Sequence, residues 1–99
     1  APQALFMMNG SIVLKSTRKM AEDIASNTGI DDSAKVRDAY ERALARPATA
    51  QEVDRALTFL AQLDRTLSER QKDEKERKIQ VWQSFCKALI GSNEFIYLN

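Results

Sequence analysis

Ala39-Tyr-Glu-Arg-Ala-Leu-Ala-Arg-Pro-Ala-Thr-Ala-Gln-Glu52 decides how the chain folds. Val36, Ala39, Tyr40, Ala43 and Leu44 recur at i, i+3, i+4, i+7 and i+8, which lines up five apolar groups on one stripe of an α-helix. Arg46 precedes Pro47, whose ring disfavours helical backbone at the residue before it, so the helix must stop near Ala45. Thr49 and Glu52 then form the S/T-x-x-E pattern of a capping box. The Thr49 hydroxyl can accept from the Glu52 amide while the Glu52 carboxylate reaches back to the Thr49 amide. The stretch therefore predicts a helix end, a tight corner and a helix start. Arg46, Pro47, Thr49 and Glu52 are its structural residues, and caps are a far commoner use of such groups than catalysis.

Working outward from the corner, the rest of the chain also reads as helix. At the N-terminus, Pro2 suits a first helical turn, and a short helix is expected over about Gln3 to Met8, ended by Asn9-Gly10. Leu5, Phe6, Met7 and Met8 are four consecutive apolar residues. They are expected either to be buried or to form a docking surface, and two methionines suit an adaptable contact. Asn9 or Ser11 can cap the next helix, which should run to about Asn27 with Val13, Met20, Ala21 and Ile24 inward. Asn27-Thr28-Gly29 is a stop, with Gly29 suited to a left-handed cap. Asp31-Asp32-Ser33 starts the helix that enters the corner. Adjacent carboxylates there are expected to cap and to meet the positive end of the helix dipole, not to hold a metal.

Beyond the corner, Val53, Leu57, Leu60, Ala61, Leu63 and Leu67, widened by Ala56 and Phe59, predict a helix buried on more than one side and central to a bundle. Ser68 to Lys78 then carries nine charges in eleven residues. Opposite charges meet at i, i+4 in Arg70–Glu74, Lys72–Glu76, Asp73–Arg77 and Glu74–Lys78, pairs worth about 0.2–0.5 kcal/mol each on an exposed helix. One helix from Thr49 to Ile90 would be roughly 60 Å long at 1.5 Å per residue. That is too long for a compact module of this size, so a break is expected between about Gln71 and Arg77. Ile79, Trp82, Phe85, Cys86, Leu89 and Ile90 make the last amphipathic helix, ended by Gly91-Ser92-Asn93. Cys86 lies within the apolar stripe and reads as a small core residue. Phe95, Ile96, Tyr97 and Leu98 are expected to dock a C-terminal tail on the bundle. The expectation is an all-α fold: a small bundle of about four helices, a short N-terminal helix and a docked tail, one module spanning residues 1–99.

Composition narrows the function. The charge is nearly balanced, with 15 basic and 14 acidic residues. Residues up to Ala48 hold 7 and 6 of them and the remainder 8 and 8, so neither part has the basic footprint of a nucleic-acid binder. No apolar run approaches the roughly 20 residues of a membrane span. One cysteine and no histidine rule out an internal disulfide, a Cys/His metal cluster and haem attachment through C-x-x-C-H within this chain. The commonest general base is missing as well. No cofactor is expected here. The chain opens at Ala1-Pro2 without Met, which reads as a piece of something longer.

Three stretches together resemble one family: Pro2-Gln-Ala-Leu-Phe-Met-Met-Asn9; Ala39-Tyr40 with Arg46-Pro47-x-Thr49-x-x-Glu52; and Trp82-x-x-Phe-Cys-x-Ala-Leu-Ile-Gly-Ser-Asn-Glu-Phe-Ile-Tyr97. They are similar to the C-terminal part of a planctomycete-type domain of unknown function. That domain closes large, exported proteins, many of which carry a cytochrome-c-like haem domain ahead of it. The resemblance spans nearly the whole chain. It departs at Gly10-Ser11-Ile12, where an acidic residue and proline are more usual, and at Gly91, where asparagine is. It implies a helical module at the C-terminus of a multidomain protein outside the cytoplasm, with any haem held elsewhere, and it implies no reaction.

Three functions compete. The first is a structural or interaction module that completes the rest of its parent protein or docks on another protein. The second is an accessory part of an exported enzyme of carbohydrate or redox chemistry, with Arg46, Glu52 or Glu94 lending a group to a site formed mainly by other sequence. The third is a helix-turn-helix DNA binder with Arg42 and Arg46 at the turn. Ala50 to Leu63 holds only Arg55 as a basic residue, which argues against the third. Arg46 is the corner residue without an assigned role, and a contact with Asn93–Glu94 is expected of it.

Overall fold

A computed structural model describes residues 11–91 and shows an all-α bundle of four helices. They are α1 (Ser11–Ser26), α2 (Asp32–Leu44), α3 (Ala50–Leu67) and α4 (Glu74–Ile90). The expected N-terminal helix, the Leu5–Met8 surface, the docked tail and the Asn93–Glu94 partner of Arg46 lie outside the described residues.

Each boundary has a local cause. Asp31 caps α2, its carboxylate accepting from the Ala34 amide at 2.9 Å. α2 ends before Pro47, with Ala45 in the left-handed region at φ 56° and its N–H donating to the Glu41 carbonyl. Thr49 caps α3. The charged stretch after Leu67 breaks at residues 68–73, and Asp73 starts α4 by accepting from the Lys75 and Glu76 amides. The last helix thus begins five residues before its apolar stripe, which starts at Ile79. Asp73-x-x-Glu76 carries the cap signal.

Two expectations need correcting. Gly29 has no positive φ; among the described residues the left-handed position falls to Ala45 instead. The α1–α2 turn closes through Asn27, whose side-chain oxygen accepts from the Gly29 amide at 3.2 Å. The centre of the bundle is α4, not α3. Helices α2 and α4 each pack against all three others, whereas α3 packs on α2 and α4, and of those two α4 buries the larger apolar face. Ile79, Val81, Trp82, Phe85, Cys86, Leu89 and Ile90 of α4 are buried. In α3 only Val53, Ala56 and Leu60 are; Leu57, Leu63 and Leu67 are half-buried, Ala61 is exposed, and Phe59 remains 39% exposed.

The core gathers these α4 side chains other than Ile90 with Ala21 and Ile24 of α1 and Val36, Ala39 and Tyr40 of α2. Phe85 sits at its aromatic centre. Its ring lies 6.0 Å from Trp82 in an edge-to-face arrangement, 6.1 Å from Tyr40 and 6.2 Å from Phe59. Helices α1 and α4 run antiparallel. Gln83 Nε2 donates to the Leu14 carbonyl and to Thr17 Oγ1, and four residues along α1 from Leu14 the Arg18 guanidinium grips Glu76. Thr17 is fully buried, a position the apolar pattern of α1 does not announce. Its hydroxyl donates to the Val13 carbonyl at 2.7 Å, which removes the cost of burying it.

Candidate functional site

The corner between α2 and α3 gathers Arg46, Pro47, Thr49 and Glu52. Pro47 stops α2, which leaves Thr49 extended and free to cap. The capping box is complete: the Glu52 amide donates to Thr49 Oγ1 at 3.1 Å and the Thr49 amide donates to Glu52 Oε1 at 2.9 Å. Arg46 closes the corner from outside. Its Nη1 donates to Glu52 Oε1 at 2.9 Å and its Nη2 to Oε2 at 2.8 Å, a bidentate fork. Nη1 also donates to the Pro47 carbonyl, and the guanidinium lies 5.4 Å from the centre of the Tyr40 ring.

This geometry fixes the chemistry of Glu52. The Arg46 guanidinium, then the Thr49 amide, pull its carboxyl down to about 2. A carboxylate held that firmly ionised, with both oxygens accepting hydrogen bonds, is a poor proton donor near neutral pH. Arg42, the other arginine at the turn, is also committed. It donates to Asp38 at 3.1 Å and to Asp23 of α1 at 3.5 Å, and these carboxylates raise its pKa, Asp38 most. Neither arginine is presented as a bare cation for a phosphate backbone.

The charged stretch does more than cover a wet surface. None of its four i, i+4 pairs forms among the described residues. Glu76 reaches across to Arg18 of α1, with contacts of 2.6 and 2.8 Å, and Arg18 also holds Glu22. The fork raises the pKa of Arg18 and lowers that of Glu76. Arg77 Nε donates to Asp64 of α3 at 3.0 Å and its Nη1 to the Gln71 carbonyl, which pins the α3–α4 turn. Sequence spacing shows neighbours on one helix, so it misses pairs that cross between helices.

Cys86 is fully buried, and burial pushes its thiol up to about 12. It is a core residue with no thiolate at neutral pH. Among the described residues no group of three or more His, Cys, Asp or Glu side chains is placed to hold a metal ion. No described helix is long and apolar enough to cross a membrane.

Comparison with known families finds one match: the model of a family described as "Protein of unknown function (DUF1553)" aligns with residues 1–60. That segment contains the corner and ends at Leu60. The Trp82–Tyr97 stretch lies beyond it. Neither the curated proteins nor the solved structures contain a match to the chain.

Proposed function

The chain belongs to the family described as protein of unknown function (DUF1553), and on that premise we propose that it is a helical structural and interaction module of a larger, multidomain protein. The observation that supports this reading is the start of α1. Ile12 is 66% exposed and Leu14 40% exposed, and both follow closely on the apolar run Leu5-Phe6-Met7-Met8 in sequence. Large apolar side chains exposed just after such a run in sequence support a reading in which further protein covers the start of α1. Elsewhere the polar groups of the corner and of the α1–α4 seam are spent on holding the helices together.

The finer proposal rests on the resemblance of the three stretches quoted above. The parent is an exported protein of planctomycete type that ends in this module, with a cytochrome-c-like domain ahead of it. Its partner is the rest of that parent or another protein, and no nucleic acid.

Hydrogen exchange on the first turns of α1, compared between the 99-residue chain and the full-length parent, tests the module reading. Slower exchange in the parent is the expected result. Equal exchange in both would show that nothing covers this surface. An accessory catalytic role is the competing reading, and it loses Glu52 as an acid–base group for the reason given above. Turnover of a glycoside or a redox dye by the isolated chain would overturn the module reading.

A further inference from the structure

On the side of the bundle away from the corner, α2, α3 and α4 enclose a cleft of about 590 Å³, roofed at one edge by Ala25 of α1. Its wall is apolar at Leu57, Leu60 and Val81 and includes Trp82. Lys35, Arg65 and Lys78 stand around it, with Asp32 and Asp64 between them. A space of this size lies within the range of small-molecule sites.

Three polar groups give the cleft its character. The first is the indole of Trp82, only 4% exposed, whose N–H donates to no acceptor among the described residues. A buried indole N–H normally finds a partner, and leaving it without one is costly. Trp82 is part of the wall of this cleft, so an acceptor held in the cleft would lie against it. The other two groups are cations. Arg65 makes no ion pair among the described residues, and Lys35 reaches only the Ala25 carbonyl, at 3.5 Å. The acids of the wall do not neutralise them: Asp64 is engaged by Arg77 at 3.0 Å and Lys78 at 3.8 Å, and Asp32 lies in the first turn of α2.

We propose that this cleft binds a small organic monocarboxylate, its apolar body against Leu60 and Val81 and its carboxylate between Lys35, Arg65 and the Trp82 indole N–H. A carboxylate supplies the acceptor the indole lacks and the negative charge the two cations lack. Asp32 on the same wall disfavours a second negative charge on the ligand, which selects a monoanion over a phosphate or a dicarboxylate.

The chain has one tryptophan, so its ¹⁵N-labelled form gives one indole cross-peak. Titrating the full 99-residue chain with 3-phenylpropionate, and separately with 3-phenylpropanol as the uncharged counterpart, reads the site directly. The expected result is a saturable indole shift with the carboxylate and none with the alcohol. Arg65→Gln changes an exposed side chain and Lys35→Gln one whose ammonium donates only to the Ala25 carbonyl, and each should weaken the carboxylate about tenfold, the loss of one charge-assisted hydrogen bond. An indole signal that the carboxylate leaves unmoved, that the alcohol moves equally, or that both variants leave equally responsive would overturn the proposal.

Discussion

Arg46 and Glu52 face each other across the Pro47 corner in a two-pronged contact, 2.9 and 2.8 Å, while the same carboxylate closes the cap on Thr49. One side chain thus joins the end of α2 to the start of α3. Glu52→Gln keeps the shape and loses the charge, and is expected to cost about 1–2 kcal/mol, the range of a lost cap. Urea unfolding at neutral pH measures it.

Acid should expose the same contact. The Glu52 carboxyl is held down to about 2 in the folded chain, against 4.5 as its ordinary value. The unfolded chain therefore takes up this proton first, and the contribution is fully present above about 4.5. It fades as the pH falls from there toward 2. Unfolding midpoints recorded across that window should drop less steeply for Glu52→Gln than for the parent chain. Parallel curves would show that the carboxylate has no such role.

Ala45 sits in the left-handed region at φ 56°, where a Cβ costs about 1 kcal/mol or more. Ala45→Gly is expected to raise stability by about 0.5–1 kcal/mol, since glycine is the favoured residue there. Gly29, by contrast, has no positive φ, and an added Cβ would meet only Asn27 Oδ1 at an ordinary 3.6 Å. Gly29→Ala should therefore be neutral or stabilising by up to about 1 kcal/mol, through the unfolded chain. Thermal melts of both variants decide this. A destabilised Ala45→Gly would show that the corner tolerates no extra freedom.

The Cys86 thiol should not react with a disulfide reagent while the chain is folded at pH 8, because burial pushes it up to about 12. Reaction should appear with unfolding and follow the urea transition. Rapid labelling in the absence of urea would show that α4 opens on its own.

Asp73 holds the first amides of α4 at 3.1 and 3.5 Å. Asp73→Ala should cost about 1 kcal/mol and speed amide exchange at Lys75 and Glu76 while the Phe85 region stays protected.

The Pro47 stop and the Thr49–Glu52 capping box were legible in the sequence because their causes are local, whereas the Arg46–Glu52 fork and the left-handed Ala45 were not. Pro47 restricts the residue before it, and Thr49 and Glu52 satisfy each other three residues apart. The choice of central helix was not legible. Helix α3 has the longer list of leucines, but periodicity shows which face is apolar and not how many neighbours that face meets; α4 meets three. Glycine at position 29 looked like a left-handed cap from residue type alone, yet Asn27 closes that turn by another route, and the left-handed residue is Ala45, at the end of α2. The cleft beside Trp82 was invisible for the same reason as the Arg18–Glu76 fork. Its wall comes from α2, α3 and α4, which sequence spacing cannot bring together.

The antiparallel seam of α1 and α4 has a mechanical consequence. Ser11 and Gly91 lie at the same end of the pair, beside the Gln83 contacts with Leu14 and Thr17, while the Arg18–Glu76 fork lies further in. Tension applied between residues 11 and 91 would not drag one helix along the other. It would peel them apart, loading Gln83 before Arg18, and such unzipping yields at lower force than sliding because its rungs break in turn. The same chain held at Ser11 and at the α3–α4 turn would be stretched along the seam and would resist with all of its rungs together.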